Sequence, residues 1–201
     1  MPVLNAQETS AMSLQRRTLL QSAAVSSLAT LTPVAHSQTV AAAPAPPEVV
    51  RALPLAQTAG SARLRVVGFS IYDATLWVEP GFSATRFERH PLALTLTYLR
   101  DLNGAAIAER SLAEMARGGT ISPAQSQAWL AAMQASFPDV RAGDRLTGLH
   151  RPARGADFWL NGQARAGVAD PEFSRLFFGI WLSQTTSEPE MRRALLLRLP
   201  V

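Results

Sequence analysis

GDRLTGLHRPARGADFWLNGQARAGVADPEFSRLFFGIWL, residues 143–182, decides the fold of this 201-residue chain. A β run through Leu146–Leu149 and another through Phe158–Leu160 lead to Asn161-Gly162. Asn-Gly supplies the positive φ values of a tight type I′ turn, so a hairpin is expected there, followed by a short strand over Ala164–Val168. Asp170-Pro171 then opens a helix. The aspartate can cap the first free N–H groups, and a proline at the first helical position gives up a hydrogen bond that no helix makes. Phe173, Leu176, Phe177, Ile180 and Trp181 fall at helical spacing and predict its buried face.

Upstream, Leu64, Val66 and Gly68 alternate with Arg65 and Val67, and Ile71–Val78 continues as a second β run, so a strand pair is expected before the Pro80-Gly81 turn. Leu92–Leu99 alternates leucine with threonine, the pattern of a strand with one buried face. After Asp101 the period changes. Ala105, Ile107, Ala108, Leu112 and Met115 predict a helix capped by Asn103 and stopped at Gly118-Gly119. Ser122-Pro123 opens another, carrying Trp129, Leu130, Met133 and Phe137, and Glu190–Leu199 reads as a terminal helix with Met191, Ala194, Leu195 and Leu197 inward. Strands, helices, strands and helices in this order predict an α+β domain whose largely antiparallel sheet is covered on one face by helices.

The N-terminus has a different character. Arg16-Arg17 precede a modest apolar run, Leu19–Leu31, that ends in Ala35-His36-Ser37, and residues 1–37 are expected to be an export signal. QRRTLLQSAA looks like a twin-arginine signal, with an ordinary Sec signal as the alternative; both imply a periplasmic or secreted protein. The apolar run is too short to span a bilayer, so no transmembrane segment is expected in the mature protein. Residues 38–54, rich in alanine and proline, are expected to be an extended linker, leaving residues 55–201 as one domain.

All nineteen basic residues are arginine, and without the signal seventeen face fourteen acids. A net +3, scattered along the chain, excludes a nucleic-acid surface. With no cysteine, disulfides, thiolate metal sites and cysteine nucleophiles are excluded. His90 and His150 lack metal-ligand spacing, no serine lies in G-x-S-x-G, and no phosphate or dinucleotide loop is present. No metal and no cofactor is therefore expected; the oligomeric state is left open.

The 143–182 stretch resembles the bacterial chalcone isomerase-like family, in which a "GD.LT" strand, an "LNG" hairpin and a "DPEF…GIWL" helix follow one another. GSARLRVVGFSIYDATLWV (residues 60–78) looks like the opening hairpin of that family, and LTLTYLRD (residues 94–101) like its next strand. The resemblance implies a cleft between sheet and helices, with an arginine near the start of the first strand facing an anionic group. Arg63 lies there, and Arg65 competes because the register is open by one or two residues. The positions of the other groups of the plant enzymes fall on Tyr72 in place of a threonine, Ile107 in place of a tyrosine and Glu114 in place of an asparagine. Ring closure by the plant mechanism is therefore not expected.

What the resemblance leaves is a container for a small hydrophobic, acidic ligand such as a fatty acid. Candidate ligand-binding residues are Arg63, Arg65, Tyr72, Trp77, Tyr98 and Ile107, with Trp129, Phe158, Trp159, Phe173, Phe177 and Trp181 as further apolar candidates. The alternatives are an isomerase (an intramolecular lyase) with a reorganised site acting on a chalcone-like or other substrate, and an envelope interaction module docking through MRRALLLRL.

Overall fold

The computed structural model describes residues 44–199; the export-signal expectation lies outside them, as does the first part of the linker. Helix α1 (Pro47–Ala52) precedes strands β1 (Gln57–Val66) and β2 (Phe69–Val78), a 3-10 segment (Ala84–Arg89) and β3 (Leu92–Tyr98). Helices α2 (Gly104–Met115) and α3 (Pro123–Ser136) follow. Strands β4 (Arg145–Arg151), β5 (Gly155–Leu160) and β6 (Gln163–Ala164) come next, then α4 (Pro171–Leu182) and α5 (Pro189–Leu195). The six strands form one antiparallel meander in the order β1-β2-β3-β4-β5-β6. Every neighbour in the sheet is thus a neighbour in sequence. None of the described helices is long and apolar enough to cross a membrane.

Local signals place the element ends where their chemistry requires. Asn161 and Gly162 hold φ values of 50° and 83°, as a type I′ turn demands. Asp170 Oδ1 accepts from the N–H groups of Glu172 and Phe173, and its Oδ2 accepts from Trp129 Nε1 at 2.8 Å, so one carboxylate both starts α4 and ties it to α3. Asn103 caps α2, and Ser122 with Gln125 forms a full capping box on α3.

One face of the sheet is covered by α2, α4 and α5. Helix α4 lies on β4 and β5, α5 lies on β1, and α3 backs α2. Phe173, Leu176, Phe177, Phe178, Trp181 and Leu182 are all buried, and Phe177 meets Phe158 edge-on at 5.3 Å between ring centroids. Gly148 lets this layer settle close: a Cβ there would stand 3.2 Å from the Phe178 ring. The terminal helix is shorter than the expected Glu190–Leu199, ending at Leu195. Leu197, expected inward, is 79% exposed: beyond Leu195 the chain leaves the helix, and the Arg198 N–H donates to the Ala59 carbonyl of β1 at 2.9 Å.

The opposite face corrects the linker expectation. From Pro47 the chain is helical, with Pro47 at a position where its missing N–H costs nothing. Val49 and Leu53 bury themselves against Trp77, Ala93 and Leu149, with Trp159 packed alongside. Glu48 goes down with them; its Oε1 accepts from Thr147 Oγ1 at 2.8 Å and lies 3.5 Å from the Arg145 guanidinium. This cover also explains why β3 is buried on both faces rather than one: Thr95, read as the solvent side, is 5% exposed and accepts from Trp77 Nε1 at 3.0 Å. Within the six residues of α1 only Val49 and Ala52 join this cluster, too few to show a period.

His150 is structural. Its Nε2–H donates to the Glu88 carbonyl at 3.0 Å, which leaves Nδ1 to accept from Ser174 Oγ at 2.6 Å, and burial pushes its pKa down. A histidine whose folded pKa lies below its unfolded value of 6.5 binds its proton more readily in the unfolded chain. Its contribution is complete above 6.5 and is lost as pH falls from there towards the depressed folded value. Urea titrations over that range will show stability falling with pH in the native chain, with a shallower fall in His150→Gln. At Gly60, where β1 passes under α5, a Cβ would sit 2.2 Å from the Ala194 carbonyl oxygen. Gly60→Ala is expected to lower the unfolding free energy by roughly 1–3 kcal/mol, read as a reduced urea midpoint.

Candidate functional site

Alternation along the strands and helical spacing along α2 aim two sets of side chains at each other. Leu64 and Val66 of β1, Tyr72 of β2, and Leu96 and Tyr98 of β3 face the helices, and a register shift after Leu64 leaves Ile71 as an extra residue of β2 that also reaches the gap; the register pairs Leu64 with Tyr72 and Tyr72 with Tyr98, a row across three strands. On α2, Ile107, Arg110, Ser111 and Glu114 fall at i, i+3, i+4 and i+7 and share one face. Phe177, Ile180 and Trp181 of α4 close the third side. Between them the layers do not meet, and a cavity of about 380 Å³ remains, walled mainly by apolar side chains. Its size and lining suit a small organic molecule.

Two phenols supply the polar chemistry inside it. The rings of Tyr72 and Tyr98 stand edge to face at 6.0 Å, and Trp181 Nε1 donates to the Tyr72 hydroxyl at 3.0 Å. Because that oxygen accepts, its own proton is free to be given. The Tyr98 hydroxyl has no hydrogen-bond partner among the described residues. Burial pushes the Tyr72 pKa up to about 12; the Trp181 bond opposes that rise, and the charges of Glu188 and Glu114 add to it. Burial, with the neighbouring Tyr72, raises Tyr98 as well. Both phenols therefore stay protonated at neutral pH and act as hydrogen-bond donors, not as bases.

Charge is confined to the helix side. Arg110 Nη2 lies 2.5 Å from Glu114 Oε1, Ser187 Oγ donates to Glu114 Oε2 at 2.9 Å, and Arg117 approaches the same oxygen at 3.7 Å. Glu114 is thus fully engaged, partly by Arg110, the one cation among the lining residues, and Glu188 also lines the cavity. Among the described residues no group of three or more histidine, aspartate or glutamate side chains is arranged to hold a metal ion.

Of the expected site residues, Tyr72, Tyr98 and Ile107 come together on the cavity wall, and Arg63, Arg65 and Trp77 do not. Arg63 is on the far face of β1, half-exposed, holding Asp73 across the strand pair through Nε–Oδ1 (2.6 Å) and Nη2–Oδ2 (2.7 Å). Arg65 is exposed beyond a register shift that follows Leu64. The reason is period two: if Leu64 faces the helices, residues 63 and 65 face away. Trp77 is on that far face too, under α1. Of the further aromatic candidates, Phe177 and Trp181 line the cavity, whereas Trp129, Phe158 and Phe173 are packed in the core and Trp159 lies under α1. The positions of Ile107 and Glu114, placed by resemblance where the enzymes carry a tyrosine and an asparagine, both line it. Arg110 and Ser111 were missed, and the available signal was polar residues on the apolar stripe of α2.

A family model described as chalcone isomerase-like matches residues 58–197. An uncharacterized protein of Haemophilus influenzae is 30% identical over 140 residues, covering 70% of this chain and 67% of that protein. A solved structure of an Arabidopsis thaliana fatty-acid binding protein superposes with a TM-score of 0.55, covering 71% of this chain and 87% of that one at 11% identity, a likeness of fold alone. Motif order, matched span and architecture agree, and the chain belongs to the chalcone isomerase-like family.

Proposed function

We propose that this chain binds a small hydrophobic molecule of the fatty-acid class in the cavity between α2 and the sheet, without turning it over. The observation that carries this is the pair of neutral phenols, Tyr72 and Tyr98, inside an otherwise apolar chamber. An alkyl body replaces no hydrogen bonds on entering such a space, and burying it is favourable in proportion to its area. Its carboxyl end accepts hydrogen bonds from the two hydroxyls. The fatty-acid binding protein that shares the fold supports the same class of guest. Export of the protein, expected from its first residues, is part of the proposal.

Ring closure or another proton transfer would need a base at the guest, and the sheet side of the chamber offers none; its carboxylates, Glu114 and Glu188, belong to the helical layer. The phenols are held protonated, and Glu114 is occupied by Arg110 and Ser187. The guest's polar end is held by neutral donors rather than a guanidinium, so a protonated acid fits better than its anion.

Displacement of a fluorescent fatty acid, measured in solution, tests this. Tyr98→Phe is expected to weaken binding about three- to tenfold, the worth of one hydrogen bond, whereas Arg63→Ala leaves it unchanged. Ile107→Trp, which fills the chamber from α2, abolishes binding while preserving the thermal midpoint. No binding by the native chain across a panel of chain lengths would overturn the proposal. Incubation with chalcones is expected to leave their absorbance unchanged; a loss that depends on Tyr72 would show catalysis instead.

A further inference from the structure

The turn between β1 and β2 is built against local preference. Val66 pairs with Phe69, and Val67-Gly68 form the two-residue turn with φ values of 48° and 81°. Gly68 is at home there. Val67 is not, because a β-branched side chain in the left-handed region crowds its own backbone, and asparagine, aspartate or glycine is the usual occupant. Nothing in the fold compensates it: Val67 is 91% exposed, with Phe69 at 62% and Val66 at 48%. Three large apolar side chains thus project together from a tip where polar residues would be both less strained and better solvated.

Cations flank the tip. Arg100 holds its guanidinium over the Phe69 ring, 5.2 Å from the centroid, and Arg65 is exposed on the adjoining strand. Asp101, next to Arg100, is turned back onto the Ala142 N–H. The inner side of the same hairpin, through Leu64, Val66 and Ile71, is a wall of the cavity.

We infer that this hairpin tip docks on an anionic lipid surface, with Val67 and Phe69 entering the boundary of the acyl region and Arg65 and Arg100 meeting the headgroups. A protruding apolar wedge with basic flanks is the chemistry of interfacial membrane binding. A four-residue tip is too small for a stable protein contact, which needs about 800 Å² from each partner. Docking brings a cavity wall to the lipid boundary, so an apolar guest can pass between them. That transfer rests on the ligand-binding proposal, whereas docking does not.

The test uses the full chain with sedimenting vesicles of phosphatidylcholine plus phosphatidylglycerol, against phosphatidylcholine alone. The native chain is expected to partition onto the anionic vesicles, and Val67→Ser/Phe69→Ser to lower the partition coefficient roughly tenfold with an unchanged melting temperature. Both proteins carry the same N-terminal segment, so the difference belongs to the tip. Because the chain has no cysteine, an environment-sensitive dye can be placed uniquely at Val67→Cys or, at the opposite end of the strands, at Ala153→Cys. A blue shift on vesicles at position 67 and none at 153 supports docking. Equal partitioning of native and double-variant chains, or a dye at 67 that does not respond, overturns it, as does a variant that loses only self-association. Fatty-acid displacement without vesicles, run on the same proteins, shows separately whether the cavity proposal stands.

Discussion

A strand can offer only every second side chain to the layer packed on it, and that constraint governs this molecule from its opening hairpin onward. In β1 it sends Leu64 and Val66 towards the helices and Arg63 and Arg65 away from them. In β2 and β3 it lines up Tyr72 and Tyr98 behind Leu64. One row of alternate residues therefore builds the wall of a chamber, while the complementary row builds an outer face with the Arg63–Asp73 pair on it. The polar character of the sheet side follows: β1, β2 and β3 give the chamber phenols and not guanidinium groups. A phenol whose ionisation is suppressed by burial can hold an acceptor but cannot take its proton, so this row supplies hydrogen-bond donors.

The chamber exists because the helical layer is fastened at its ends and not across its middle. Asp170 joins α4 to α3 while capping α4, α5 is seated on β1 where Gly60 leaves room, and the Phe173, Phe177 and Phe158 rings fill the space over β5. Where α2 passes over β2 and β3, the facing side chains leave a gap, and the Trp181–Tyr72 hydrogen bond spans the layers beside it. Tight packing elsewhere keeps a hole of this size from collapsing, since well-packed neighbours relax only partly towards a void.

Much of the architecture was legible in the residues. Asn161-Gly162, Asp170-Pro171, Asn103 and Ser122-Pro123 each act through atoms within about three residues of themselves, so their turns and caps could be read directly. The strand order was left open, because α2 and α3 lie between β3 and β4 and nothing local says which strand the chain returns to. Helix α1 was not legible, because its six residues make sense only against Trp77, Ala93 and Leu149, which are far along the chain. The same omission hid the second buried face of β3. Of the expected residues, Tyr72, Tyr98 and Ile107 line the cavity, whereas a likeness to related proteins drew attention to Arg63 and Arg65 although their alternation with Leu64 places them on the other side.

By itself the sequence determined the family, the α+β class, most element boundaries and the absence of thiol chemistry, since these depend on local backbone preferences and on which atoms are present at all. Only the tertiary structure decided that a cavity lies between α2 and the sheet, that its donors are tyrosines, and that Val67 and Phe69 stand uncovered beside it. Those properties depend on which distant surfaces meet and which fail to meet, and a gap between two elements is a property of neither one alone.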